Sequence, residues 1–354
     1  MSEPGARGAR PFDERALHDY LRTHLPGTSG PLSIEPLSGG QSNPTFRLRL
    51  GDQNYVLRKQ PQGVLLPSAH AVDREYRVIT ALGHSDVPVP HTFCYCDDPQ
   101  VIGTPFFVMA YIEGRLFWDP ALPELPREER TALWDDINGV MAKLHNVDHV
   151  ALGLQDYGRP GNYFERQIGR WSKQYRASET GRMESMDRLM EWLPRNIPGG
   201  DDSSIVHGDF RLDNLMNHPT EPRVIPVFYW ELSTLGHPLA DFSYHVMAWR
   251  LTHDQFRGMA GQDLAALGIP GEREYVHAYC RRTGRGAIDP VDWEFYVAFS
   301  MFRLAAILQG IVKRSIDGTS ASPEAAPTGA RARMIADVAW RQVESIANVA
   351  DKTG

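Results

Sequence analysis

Between Ile205 and Met216 the chain reads Ile-Val-His207-Gly-Asp209-Phe-Arg211-Leu-Asp213-Asn214-Leu-Met. An apolar pair enters, a polar cluster follows and an apolar pair leaves. A carboxylate, a carboxamide and a guanidinium in one short loop are the parts that phosphoryl transfer asks of a protein. They would act as a base beside the attacking hydroxyl, an oxygen for a metal ion and a cation for phosphate. His-x-Asp followed by Asn, here Asp209 and Asn214, is also the spacing of a catalytic loop that carries base and metal-binding amide together. In an ordinary polar loop the same Asp and Asn would serve only as turn formers.

The elements that must position this loop can be read around it. A helix is expected from Asp13 to His24. Thr45 to Leu50 alternates apolar and polar residues as a half-exposed strand does, a turn follows at Gly51-Asp52-Gln53-Asn54, and Tyr55 to Arg58 returns. Ser68 would cap a helix reaching Leu82, with Val72, Tyr76, Ile79 and Leu82 on its apolar stripe. Glu75 lies on the edge of that stripe, so its carboxylate would be partly desolvated and would need a cation, for which Arg58 is the candidate. Strands are expected at Thr92–Cys96 and Phe106–Ala110, and Tyr111-Ile-Glu-Gly114 reads as a crossover. Beyond it the chain reads as mainly helical: 127–147, with the stripe Leu133, Trp134, Ile137, Val140, Met141 and Leu144, then 161–177, 241–250 and 289–314. Residues 317–329 are rich in Ser, Ala, Pro and Gly and read as a loose loop. Residues 1–12 read as a disordered tail without the apolar core of a signal peptide.

On these stretches the chain resembles the aminoglycoside phosphotransferase and choline kinase family, in particular the branch found fused to acyl-CoA dehydrogenases. The residues that carry the resemblance are Leu-Ser-Gly-Gly-Gln-Ser-Asn (37–43), Tyr-Val-Leu-Arg-Lys (55–59), Arg-Glu-Tyr-Arg (74–77), Phe-Val-Met-Ala-Tyr-Ile-Glu-Gly (107–114), His-Gly-Asp-Phe-Arg-Leu-Asp-Asn (207–214) and Trp-Glu-Leu-Ser-Thr-Leu-Gly (230–236). The resemblance implies an α+β, protein-kinase-like fold of two lobes. Residues 13–110 would form an N-lobe of antiparallel sheet plus helix, and 111–354 a larger, mostly helical C-lobe. It implies ATP and Mg²⁺ as cofactors. Asp209 would be the base, with Arg211 beside the transferred phosphate and His207 orienting the catalytic loop. Asn214 would hold the metal. Gly39, Gly40, Gln41, Ser42 and Asn43 would close over the nucleotide phosphates, Arg58 would contact them, and Glu75 would hold Arg58. Lys59 should point to the other strand face. Met109 and Tyr111 would lie by the adenine of the nucleotide. Asp241 would anchor the loop or cap its helix. The helix carrying Tyr163, Gln167, Trp171 and Gln174, and the mid-helix Arg303, would face the acceptor. Arg303 would meet a substrate carboxylate or phosphate, the alternative being a salt bridge to a core Asp or Glu.

One departure bears on activity. The family carries an Asp, the second metal ligand, immediately before Trp230-Glu231; here that position is Tyr229. A second family Asp is His237 here. Mg²⁺ prefers hard, anionic oxygens in tight octahedral geometry, and a phenol is ordinarily neutral at pH 7. Glu231, two residues on, would share a strand face with Tyr229 and is the alternative ligand to consider. Two functions therefore stand side by side. One is an ATP-dependent phosphotransferase acting on a small hydroxylated molecule such as a hydroxy acid or hydroxyacyl-CoA, impaired to the extent that Tyr229 weakens the metal site. The other is a non-catalytic module that binds nucleotide or acyl-CoA.

Composition narrows the partners. The chain has 354 residues and a formal net charge of −7, with no Lys/Arg-rich run, which argues against nucleic acid. Three cysteines, Cys94, Cys96 and Cys280, suit reduced thiols in a cytoplasmic protein better than a disulfide framework. The apolar run 293–312 is interrupted by Glu294, Arg303 and Gln309, so it reads as a buried core helix and not as a membrane span. A small-molecule acceptor is the expected partner, with no nucleic acid and no membrane.

Overall fold

The computed structural model describes residues 12–25, 27–37, 43–62, 70–318 and 325–353. The turn residues Gly39, Gly40, Gln41 and Ser42, the Ser68 cap and nearly all of the N-terminal tail lie outside them. The chain divides into two compact units: residues 1–113 with 229–231, and residues 114–228 with 232–354.

The first unit is a five-stranded sheet with strand order β1-β2-β3-β5-β4, every pairing antiparallel. Its strands are β1 (Leu32–Pro36), β2 (Thr45–Leu50), β3 (Gln53–Lys59), β4 (Thr92–Cys96) and β5 (Phe106–Ala110). Alternation along β3 sorts its side chains to two faces. Tyr55 and Leu57 join Leu48, Leu50, Phe106 and Val108 in a core closed by Leu17 and Leu21 of helix α1 (Glu14–His24). Asp13 caps α1 by accepting from two backbone N–H groups. On the opposite face lies α2 (Val72–Leu82), which brings Glu75 into the interior at 1% exposure. Lys59 points to the α1 side, over the ring of Phe12 (5.9 Å) and away from Arg58. A one-turn helix, α3 (Pro99–Ile102), packs on α1.

The second unit is helical around α11 (Pro290–Ile316), which packs on α5 (Tyr163–Ser178), α7 (Pro238–Val246) and α12 (Ala325–Thr353). The remaining helices are α4 (Arg127–His145), α6 (Glu184–Trp192), the one-turn α8 (His253–Phe256) and α9 (Leu264–Leu267), and α10 (Glu272–Thr283), which packs on α4. Helix α11 is apolar and long enough to cross a membrane, yet 83% of its most apolar window is buried inside the protein, as a core helix requires.

Two expectations change here. The stretch 317–329 is not a loop throughout, because α12 is under way from Ala325. The second unit also contains short strands that helical periodicity does not reveal. β7 (Ser204–Val206) pairs with β10 (Thr234–Gly236), and β8 (Leu215–Asn217) lies between β6 (Arg115–Leu116) and β9 (Val224–Val227). They are only two to four residues long, too short for a period-2 pattern to register. Their effect is local: β7 delivers the chain into His207, and β8 carries it away from Asn214.

Candidate active site

In the second unit the loop after β7 is fixed from below by a buried carboxylate. Asp241, in the first turn of α7, accepts from the N–H of His207 (2.6 Å) and of Gly208 (2.9 Å). Burial pushes this carboxyl up, but the His145 side chain and the loop N–H groups together hold it below the ordinary range. His145 reaches Asp241 at 3.5 Å and Tyr279 at 2.6 Å. His207 is fully buried with both ring nitrogens in use: Nδ1 accepts from the Asp209 N–H (3.1 Å) and Nε2 donates to the Phe228 carbonyl (2.7 Å). These bonds orient the loop and set one neutral tautomer. Gly208 has φ +83°, and a Cβ there would lie 2.7 Å from the Leu232 carbonyl oxygen, so this position requires glycine.

The loop presents Asp209. Its Oδ1 accepts from the Tyr244 hydroxyl (3.0 Å) and pairs with Arg211 Nε (3.0 Å); its Oδ2 accepts from Asn214 Nδ2 (3.0 Å). Asn214 Nδ2 also donates to the Asp209 carbonyl (2.7 Å), which turns the amide so that Oδ1 has no protein partner among the described residues. Arg211 also pairs with Asp213 (3.2 Å), and although burial pulls its pKa down, Asp209 and its neighbours keep it above the ordinary arginine value. Tyr244, pushed up by burial and by Asp209, lies beneath the Arg303 guanidinium (4.8 Å to its ring).

Arg303 does not meet a core carboxylate among the described residues. Its hydrogen bond goes to the Gly208 carbonyl (2.5 Å), and it stands over the rings of Tyr244 and Trp171. It therefore anchors the catalytic loop. Trp171 is buried, while Tyr163 and Gln167 are half-buried on the same helix. Tyr163 packs on Gly236, where a Cβ would come within 2.6 Å of its ring. His237 caps α7, accepting from the Leu239 N–H (3.2 Å), and burial drops its pKa to about 4, so it does a structural job as a neutral ring.

In the first unit Arg58 is the centre. Its Nε donates to Glu75 (2.7 Å), one terminal nitrogen to Thr45 (3.2 Å) and the other to Glu231 (3.0 Å). Burial alone would lower its pKa, but Glu75 and Glu231 hold it above the ordinary value. Burial pushes Glu75 up towards about 7 despite Arg58, and Glu231 pushes in the same direction. Glu75 also accepts from the Trp230 N–H (3.3 Å). Tyr229 stacks against Arg58 (5.1 Å) with φ +63°, a left-handed conformation uncommon for an aromatic residue. The expectation that Tyr229 and Glu231 share a strand face is corrected. Tyr229 sits at a left-handed turn, and Glu231 lies in the 3₁₀ turn Trp230–Leu232, bonded to Arg58. Asn43 is fully buried against His70 (3.0 Å). Met109 is buried in β5, and Tyr111 lies under Arg47 (4.4 Å). No group of three or more His, Cys, Asp or Glu gathers into a metal site among the described residues.

Residue reading missed His145 and Tyr244. Tyr244 was within reach, because it lies three residues after Asp241 on one helix face. Nothing local marks His145.

Residues 33–282 match the model of the phosphotransferase enzyme family, APH. Acyl-CoA dehydrogenase family member 10 of Mus musculus is 45% identical over 330 residues, covering 92% of this chain and 30% of the mouse protein. The chain thus spans less than a third of that relative. A Ralstonia eutropha protein described provisionally as an aminoglycoside phosphotransferase has a crystal structure 53% identical to this chain, with a TM-score of 0.87 and coverage of 94% and 99%. A thermostable mutant of the aminoglycoside phosphotransferase APH(4)-Ia, crystallised with ADP and hygromycin B, shares the fold: TM-score 0.59, 16% identity, and 92% of this chain against 98% of that one.

Proposed function

We propose, for a chain that belongs to the phosphotransferase enzyme family, that it transfers the terminal phosphoryl group of ATP to a hydroxyl of a small molecule, a hydroxy acid or hydroxyacyl thioester being the class its dehydrogenase-linked relatives suggest. The observation that carries this reading is the Asp209 carboxylate beside an Asn214 amide whose oxygen has no protein partner among the described residues.

Asp209 accepts the acceptor's hydroxyl proton. Tyr244 and Asn214 hold the carboxylate in one orientation, so that it need not reorganise as the proton arrives. Arg211 supplies a guanidinium at the same edge. Arg58 would face the nucleotide phosphates, held by Glu75. Asn214 Oδ1 fits as one Mg²⁺ ligand, since both of the amide's donations are spent inward. Tyr229 does not fit as the second: its phenol is stacked on Arg58 and brings no carboxylate. Bound Mg²⁺ would neutralise phosphate charge; with one family ligand missing, turnover is expected to be slow.

A second reading, a nucleotide- or acyl-CoA-binding module without turnover, is favoured by that same Tyr229 and by the two carboxylates already on Arg58.

The test is thermal stabilisation by ATP with and without Mg²⁺, together with ADP formation by the native chain and Asp209→Asn. At a hundred times the dissociation constant ATP should add about 2.7 kcal/mol of stability. Transfer predicts Mg²⁺-dependent ADP formation that Asp209→Asn lowers by about 10²- to 10⁴-fold. A shift indifferent to Mg²⁺, with no ADP formed, would instead support the binding module.

A further inference from the structure

Beside the catalytic loop the second unit contains a pocket that none of the acceptor residues expected from the sequence lines. Trp118, Trp134 and Phe256 make its walls apolar, and Arg211, Tyr244, Asp213 and Arg257 give it a polar side. The Arg211–Tyr244 wall is the one whose residues hold Asp209. The pocket therefore adjoins the base.

Its charge is uneven. Asp213 pairs with Arg257 (2.8 Å) and also with Arg211 (3.2 Å), which has Asp209 as a second partner (3.0 Å), so Arg257 is the cation left with only a shared carboxylate. The Arg257 side chain is 44% exposed and its guanidinium stands over the Trp118 ring (4.7 Å), with Asp213 the one polar partner of that side chain among the described residues. It sits at φ +47°, a left-handed position where glycine is the usual occupant, so its side chain is kept at a backbone site that disfavours it. Trp118 is 56% exposed, an indole left at the rim. Trp134 is buried, and its indole N–H has no hydrogen-bond partner among the described residues. His245, also lining the pocket, has its pKa lowered to about 4 by burial and adds no positive charge near neutrality.

We infer that this is the acceptor pocket and that it takes a small amphipathic anion: an apolar body between the aromatic walls, a carboxylate or phosphate on the Arg257 edge, and the hydroxyl toward Asp209. An amine on the same edge would meet the Arg257 guanidinium as a like charge. The inference rests on the phosphotransfer reading for the direction of the hydroxyl, but the sign of the ligand's charge follows from the pocket alone.

The experiment uses three six-carbon probes on the full chain: 6-hydroxyhexanoate, hexane-1,6-diol and 6-aminohexan-1-ol. Binding is followed by ligand-observed NMR without nucleotide, and ATP binding is measured separately by melting shift. The expected order is anion tighter than diol, and diol tighter than amine. Arg257→Gln should weaken the anion about tenfold or more, leave the diol within twofold, and keep the ATP shift of the native chain. Trp118→Ala should weaken anion and diol together. An amine that binds as well as the anion, an anion that does not bind, or an Arg257→Gln chain that binds the anion unchanged would each overturn the pocket assignment. Loss of the ATP shift in the native chain would instead sink the phosphotransfer reading and leave the probe ranking to decide the pocket.

Discussion

The catalytic loop and the cluster around Arg58 handle buried charge in opposite ways. In the loop, supporting and working groups are separate. Asp241, His207 and Arg303 hold backbone N–H and carbonyl groups, with His145 behind Asp241, which leaves the Asp209 carboxylate half-buried and the Asn214 oxygen without a protein partner among the described residues. Around Arg58 the two kinds coincide, since the guanidinium that would meet phosphate is itself the tie between Glu75 and Glu231. The family's two missing Asp residues fall one in each region. His237 stands at one position and caps α7; Tyr229 stands at the other, against Arg58, and brings no carboxylate. A supporting role can pass to any side chain with the right acceptor atom, whereas a metal-binding role cannot.

Three measurements would break or sharpen this contrast. The largest effect should come from Arg58→Met. Removing one partner of a buried ion pair costs about 3–5 kcal/mol, read as a fall in unfolding free energy in denaturant near pH 8. The loss should shrink towards pH 5. Glu75 already has a raised pKa, so the folded chain binds that proton more tightly than the unfolded one, and stability from this group is present at low pH and lost as pH rises towards about 7. A mutant as stable as the native chain at pH 8 would show that the cluster is not the structural tie described here.

His237 should give the next largest effect, with the opposite sign. Its folded pKa is depressed from 6.5 to about 4 by burial, so the unfolded chain binds the proton more readily. Stability is full above about pH 6.5 and falls as pH drops towards 4, by about 3 kcal/mol from this residue. His237→Asn keeps a capping oxygen and should flatten that acid limb, leaving stability at pH 7.5 within about 1 kcal/mol. An unchanged acid limb would mean that His237 is not the group responsible.

Tyr229→Asp should have the smallest effect and the sharpest meaning. It restores a carboxylate at a left-handed position that Asp tolerates better than Tyr. ADP formation in Mg²⁺ should rise about tenfold, equivalent to about 1.4 kcal/mol of barrier. Equal rates in the two chains would show that Tyr229 does not limit the reaction.

Much of the site was legible because it is local. The loop spacing from His207 to Asn214, the strand carrying Arg58 and the helix carrying Glu75 are short-range patterns, and an unpaired carboxylate on an apolar stripe calls for a cation wherever it lies. The short strands β6 to β10 were not legible, because two to four residues do not establish a period. Nor was Arg303, whose partner proved to be a backbone carbonyl that carries no residue identity.

By itself the sequence determined the family, the catalytic loop and the substitution at Tyr229, all properties of residue type and spacing along the chain. Only the tertiary structure decided that Glu231 belongs to Arg58, that Asp241 is backed by His145, and that Trp118, Trp134, Phe256 and Arg257 surround one pocket. Hydrogen bonds and cavities join side chains far apart along the chain, and which of them meet is settled by how helices and strands pack.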